Sequence, residues 1–191
     1  MNIDRRRLQQ VLAGHDAQTL QLNGMREAAV LVALVVRDGV DHLLLTRRTD
    51  HLPHHQGEIS FPGGGREARD ADLLSVALRE SQEELGITPA DVTIFGQLDD
   101  VISIHDYRVT PFFGEIPAPY TYRVDHHEIA RVLELPLADF FKPDLYRVED
   151  WTWQGRKHPV RFYDVQGEEV WGMTAEIVFQ LLRLLEPLRH R

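Results

Sequence analysis

The spacing of apolar positions changes several times along these 191 residues, and each change predicts an element. Over 4–13, Leu8, Val11 and Leu12 fall on one side of a short helix. Residues 28–36 read AAVLVALVV, continuously apolar and rich in valine, the pattern of a strand buried on both faces. Asp38-Gly39 supplies a turn, and HLLLTRR at 42–48 its hairpin partner. Residues 49–66, with prolines at 53 and 62 and the run Gly63-Gly64-Gly65, predict a long irregular loop, a feature often tied to function in compact domains.

Over 72–85 the period becomes helical. Leu74, Ala77, Leu78, Ser81 and Leu85 define one face, and Gly86 is placed to cap the end. Strands are expected near 92–98 and 108–116. The segment 126–137 has a polar start and a β-rich end, and LADFF (137–141) reads as a short helix. A further strand pair, 145–153 and 158–164, flanks Gln154-Gly155, and a final amphipathic helix covers about 172–186. Strands and helices alternate without repeats or linkers, which predicts one α+β or α/β domain over 1–191.

Composition narrows the chemistry. A formal charge of −9 argues against nucleic-acid binding. The absence of cysteine excludes disulfides, thiolate nucleophiles and thiolate metal sites, so any metal must sit on carboxylate or imidazole. The longest apolar run, nine residues, is far short of the roughly 20 needed to cross a bilayer. The N-terminus has no secretory h-region, so a cytoplasmic protein without membrane partners is expected.

The densest chemistry lies in ALRESQEELGI, residues 77–87. Glu80, Glu83 and Glu84 stand at i, i+3 and i+4, and on a helical wheel they centre away from the leucine stripe. Like charges at this spacing repel by only about 0.2–0.5 kcal/mol per exposed pair. A solvent-facing acidic helix with an Arg79–Glu83 ion pair is therefore one reading. The glycine run before it favours another. Clustered carboxylates suit a hard divalent cation such as Mg²⁺, which keeps coordination positions open for substrate phosphates, and glycines let backbone approach closely. The neighbouring Arg47, Arg48, His51, His54 and His55 form a basic stretch suited to a polyanion carrying several phosphates.

The string from Gly64 to Ile87 resembles the Nudix box, G-x5-E-x7-R-E-U-x-E-E-x-G-U with U aliphatic. Arg79, Glu80, Glu83, Glu84, Gly86 and Ile87 match. In strict register Gly65 is the box glycine and Ala71 stands where the first glutamate belongs. With Gly64 as the box glycine, Asp70 takes that place with one extra residue before Arg79. Ser81 replaces an aliphatic residue. The resemblance implies a Nudix fold, an α/β/α sandwich around a mixed central β-sheet, with 64–87 as the box and 1–25 as an N-terminal helical extension. It implies Glu80, Glu83 and Glu84 as ligands of Mg²⁺ or Mn²⁺, with Arg79 orienting a glutamate. It also implies a general base outside the box, for which Glu128 is the first choice and Glu115 the rival.

LLLTRRTDHLPHHQGEISFPGG (43–64) resembles the signature of the coenzyme A pyrophosphatase branch, matching at Leu44, Leu45, Thr46, Arg48, Leu52, His55, Gly57, Phe61, Pro62, Gly63 and Gly64. Pro53 departs from it where an arginine is usual. The segments DYRVTPFFGEIP and VWGMTAEIV are similar to that branch too. The resemblance implies hydrolysis of coenzyme A or acyl-coenzyme A to 3′,5′-ADP and (acyl-)4′-phosphopantetheine. Arg47, Arg48, His55, Gly63 and Gly64 would then contact substrate, and a homodimer stays open. The alternatives are another diphosphate (ADP-ribose, NADH or a nucleoside triphosphate) or a nucleotide-sensing domain that does not cleave.

Overall fold

The computed structural model describes residues 1–21, 24–50, 56–104, 106–153 and 155–189, the side chain of Trp153 excepted. In chain order the elements are α1 (Arg5–Ala13), β1 (Arg26–Arg37), β2 (Val40–Arg48), β3 (Ile59–Ser60), β4 (Gly63–Gly65) and α2 (Leu73–Leu85). There follow β5 (Thr93–Gln97), β6 (Val101–Ile102), β7 (Tyr107–Glu115), β8 (Ile129–Pro136), β9 (Tyr146–Trp153), β10 (Arg156–Val165), β11 (Glu168–Trp171) and α3 (Gly172–Leu185). LADFF ends in a single 3₁₀ turn, Asp139–Phe141.

Strand β1 is the axis of the molecule. It runs parallel to β7 and antiparallel to β2 and β4, so the large sheet is mixed. Alternate β1 side chains serve two cores. Ala28, Val30, Val32 and Leu34 pack in a cluster with residues of α1, α3 and the small β9–β11 sheet. Ala29, Leu31, Ala33 and Val35 pack with Val76, Ala77 and Leu85 of α2. A strand covered on both faces needs apolar side chains at every position, which accounts for the unbroken AAVLVALVV. The result is helices on both sides of a mixed sheet, as the Nudix fold requires.

Within the loop expected over 49–66, residues 56–66 hold two short strands. β3 pairs back onto β2, and β4 pairs with the first half of β1, along the stretch that precedes the β2 pairing. Glycine and proline content hid both strands, because short strands are set by ladder partners rather than by propensity. Strands β6 and β11 escaped the periodicity for the same reason. Positions 51–55, which include His51, Pro53, His54 and His55, lie outside the described residues.

Helix α2 begins with a capping box in which the Asp72 side chain accepts from the Ser75 N–H, and it ends at Gly86 in the left-handed region, φ 69°. Its buried face differs from the sequence expectation. Val76, Ala77, Ser81 and Leu85 are buried, whereas Leu74 and Leu78 are only partly covered. Glu84 is buried too, at 5% exposure. The three glutamates thus do not share a solvent-facing surface. Among the described residues no helix is long and apolar enough to cross a membrane.

Candidate active site

The carboxylates of α2 sit in three different environments. Glu83 is half exposed and bonds to two guanidinium groups, Arg79 at 2.9 Å and Arg69 at 3.0 Å. Glu80 is partly covered and accepts from Arg79 at 2.8 Å, and burial raises its pKa above the ordinary carboxylate value. Glu84 is the most enclosed. Burial pushes its pKa up to about 8, and Glu80 and Glu128 add to the rise, while Arg48 and the Gly63 backbone oppose it. One carboxylate oxygen of Glu84, Oε2, is buried with no hydrogen-bond partner.

Arg79 organises this end of the helix. Its Nε and one Nη2 proton grip Asp70 bidentately at 2.9 and 3.1 Å. Nη2 also donates to the Gly65 carbonyl at 3.1 Å, and Nη1 donates to Glu80 and Glu83. All five guanidinium donors are therefore engaged, which fixes both the helix and the glycine strand relative to each other. Asp70 is held below the usual carboxylate range by Arg79 and by the Glu67 N–H. The geometry accords with the register in which Gly64 is the box glycine and Asp70 stands in for the first glutamate. Ala71 has no carboxylate to offer.

Close packing explains the glycines. A Cβ on Gly63 would lie 2.3 Å from the Ala29 carbonyl oxygen across the β1–β4 ladder. A Cβ on Gly64 would lie 2.5 Å from the Glu80 carboxylate. The carboxylate of Glu80 therefore rests directly on the β4 backbone, an approach that a side chain at Gly64 would obstruct.

Arg47 and Arg48 are adjacent on β2 but face opposite ways, as successive strand residues do. Arg47 turns away from α2. It is ion-paired with Glu168 of β11 and donates to the Gly57 carbonyl at 3.3 Å. Its cross-strand neighbour Arg131 also reaches Glu168, at 3.1 Å, so one buried carboxylate bridges two opposed cations. Sequence reading had grouped Arg47 with Arg48; the pleat separates them. Glu168 was missed altogether, since a lone acid in a short β-run carries no sequence signal.

Arg48 turns toward the carboxylates, with its guanidinium 4.0 Å from Glu84 and 3.6 Å from Glu128. Glu128 arrives from the segment before β8, which docks on the end of α2. The Arg123 N–H donates to the Leu85 carbonyl and the Asp125 N–H to the Glu84 carbonyl, both at 2.8 Å. These bonds satisfy carbonyls that a helix end leaves open, and they carry Glu128 to Glu84. The rival base Glu115 is elsewhere, hydrogen-bonded to Arg5 of α1 at 2.6 Å. Trp171 belongs to an aromatic cluster with Phe162 and Trp151 on the small sheet. His55 cannot be placed, as it falls outside the described residues.

A cavity of about 480 Å³ lies among Phe140, Tyr146, Tyr163 and Phe179, near the C-terminal half of α3. None of the carboxylates discussed above lines it, and its rings suit apolar contact rather than phosphate. The unpartnered oxygen of Glu84 is a stronger indicator of chemistry than volume. Among the described residues no three acidic or imidazole side chains close into a metal cage. The donor set still fits Mg²⁺ or Mn²⁺, because such ions are commonly held by one or two carboxylates with water and substrate phosphate completing the shell. Glu84 and Glu80 could supply those carboxylates, with Glu128 beside them.

A NUDIX domain model matches residues 25–162. An Enterobacter sp. (strain 638) protein described as an uncharacterized Nudix hydrolase, NudL, is 41% identical over 156 residues, covering 82% of this chain and 81% of the relative. The corresponding protein of Escherichia coli (strain SMS-3-5 / SECEC) is 40% identical over the same length and coverage. Among solved structures, a MutT/nudix family protein from Enterococcus faecalis superposes with a TM-score of 0.54 at 12% identity, covering 91% of this chain and 66% of that one. An Ap4A hydrolase from C. elegans superposes at 0.50 with 24% identity, covering 60% of this chain and 82% of that one. At those identities the structural likeness is one of fold.

Proposed function

The chain belongs to the Nudix family, and from that premise we propose that it is a divalent-metal-dependent pyrophosphohydrolase acting on the diphosphate of coenzyme A or acyl-coenzyme A. The observation that carries the hydrolase reading is the buried, unpartnered carboxylate oxygen of Glu84, set beside Glu80 and Glu128 under the Gly63-Gly64 backbone. A carboxylate kept charged in that place needs a cation. A bound Mg²⁺ or Mn²⁺ would neutralise phosphate charge and lower the pKa of an attacking water.

The chain's own residues supply position. Glu80 and Glu84 would hold the ion, while Arg79, fastened by Asp70, keeps Glu80 and the glycine strand in register. Glu128, 48% exposed and beside Arg48, would take the proton from the attacking water. Glu83, tied to Arg69 and Arg79, would serve the outer part of the site. Water attacks one phosphorus and the O–P bond of the bridging oxygen breaks, giving 3′,5′-ADP and the 4′-phosphopantetheine half. The site offers no activated side-chain nucleophile among the described residues, so no covalent intermediate is invoked.

The coenzyme A assignment is supported by the sequence signature at 43–64. The deciding experiment is a panel of coenzyme A, acetyl-coenzyme A, ADP-ribose, NADH and a nucleoside triphosphate, each with Mg²⁺ and Mn²⁺. Highest kcat/KM on coenzyme A or its thioester upholds the assignment. Preference for ADP-ribose moves the chain to another Nudix activity, and no turnover on any member favours a sensor.

Two further outcomes are expected. Saturating Mn²⁺ should raise the melting temperature, since at a hundredfold excess over Kd binding adds about 2.7 kcal/mol, or several degrees for a chain of this size. Glu80→Gln should shrink the rise, and an unchanged rise would place the ion elsewhere. For substrate, coenzyme A should be cleaved with about 10-fold higher kcat/KM than 3′-dephospho-coenzyme A, the worth of one charge-assisted phosphate contact. Arg47 is held by Glu168 and Arg48 faces the carboxylates, so this preference is assigned to the other basic residues of the sequence stretch, His51, His54 and His55. Arg48→Ala should then lower both rates and leave their ratio intact; equal rates for the two substrates in wild type would remove 3′-phosphate recognition.

A further inference from the structure

The position of Arg48 raises a question that substrate binding alone does not answer. Its guanidinium stands between two carboxylates without forming a hydrogen bond to either, at 4.0 Å from Glu84 and 3.6 Å from Glu128. Its Nε is buried and has no hydrogen-bond partner, and neither has the Oε2 of Glu84. A partly exposed guanidinium that stays 4.0 Å from a buried carboxylate is poorly matched as a structural ion pair, which normally closes into short bonds, as Arg47 does on Glu168 although its Nε too is unpartnered. Compare Arg79, whose five donors are all taken. The Arg48 side chain is also anchored differently from its surroundings. The β2 pleat turns it toward α2 at the point where the register with β8 shifts, Arg47 facing Arg131 and Arg48 facing Ile129 with Ala130 of β8 left between them.

We propose that Arg48 is a resident counter-cation of the carboxylate cluster, one that competes with the divalent ion for Glu84 and Glu128 and thereby sets the affinity of the site for metal. The inference rests on the metal-site reading above. When ionised, Glu80, Glu84 and Glu128 gather their negative charges around a partly buried point. A guanidinium in loose contact screens them, and loose contact makes it displaceable. Its charge also opposes the entry of a second cation a few ångströms away, so a metal ion must overcome that repulsion before substrate arrives. A phosphate entering with the substrate offers Arg48 a bidentate partner to replace the carboxylates.

The test reads metal affinity directly, with no nucleotide present. Mn²⁺ titrations of wild type, Arg48→Gln, Arg48→Lys and Glu84→Gln would be followed by the electron paramagnetic resonance signal of free Mn²⁺ at constant ionic strength. Arg48→Gln is expected to bind Mn²⁺ about 10-fold more tightly than wild type, and Arg48→Lys, which keeps the charge, to stay near wild type. Glu84→Gln is expected to bind at least about 10-fold more weakly. Unchanged or weaker binding by Arg48→Gln, with Glu84→Gln weakened, overturns the counter-cation role and leaves the metal site standing. Unchanged binding by Glu84→Gln overturns the metal site and the inference together. Should Arg48→Gln fail to fold, Arg48→Met retains the aliphatic stem and reads the same affinity.

Discussion

Glu84→Gln is expected to lower kcat by at least about 10²-fold while leaving the metal-free protein at least as stable as wild type. Glutamine matches glutamate in shape but carries no charge, and a metal ligand acts through its charge, so several kcal/mol of transition-state stabilisation should be lost. Stability should move the other way because the Glu84 carboxylate is buried beside Glu80 and Glu128. Its pKa is raised from an ordinary 4.5 to about 8 by folding, so the folded state favours the protonated form. The stabilisation attached to that proton is complete below about pH 4.5 and is lost as pH rises through 8. Thermal melts in a chelator should therefore show wild type losing stability across that window, with Glu84→Gln losing less. Glu80→Gln should lower kcat comparably. If both variants keep more than half of wild-type kcat at saturating metal, the roles given to these two glutamates are wrong.

The adjacent glycines should fail in opposite ways. Gly63→Ala puts a methyl group 2.3 Å from the Ala29 carbonyl, and the obstacle is backbone in a ladder that cannot retreat without parting β4 from β1. A loss of more than about 3 kcal/mol is expected, or about 10 °C in melting temperature for a chain this long. Gly64→Ala meets instead the tip of the Glu80 side chain at 2.5 Å. A flexible carboxylate can move aside, so the fold should survive. The displaced Glu80 would no longer sit where Arg79 and the β4 backbone hold it, and kcat should fall by about 10- to 100-fold, the cost of a misplaced charged group. Circular dichroism melts and steady-state rates measured on the same preparations separate the two. Similar melting temperatures for the two variants would contradict the packing described for β4.

Much was legible without coordinates. The unbroken run at 28–36 predicts a strand covered on both faces, because only such a strand has no polar side to present, and β1 serves two cores. The helical period over 72–85 and Gly86 at its end predict α2 and its cap, since both follow from local geometry. The spacing of Glu80, Glu83 and Glu84 marks candidate chemistry because i, i+3 and i+4 bring side chains to neighbouring places on any helix.

What the local pattern could not determine was which neighbours those side chains would meet. A wheel drawn from α2 alone turns the glutamates away from the leucines, yet Glu84 is buried because β4 and the segment at 123–128 close over the end of the helix. Arg47 and Arg48 are indistinguishable in composition, and the pleat of β2 sends one to Glu168 and the other toward Glu84. The resemblance had already named Asp70, Glu128 and Glu115, but their partners come from the fold: Asp70 on Arg79, Glu128 beside Arg48, and Glu115 on Arg5 of α1. Periodicity is a property of one element and can be read from its residues. Burial, charge pairing and pKa depend on surfaces contributed by several elements, and those exist only once the chain has folded.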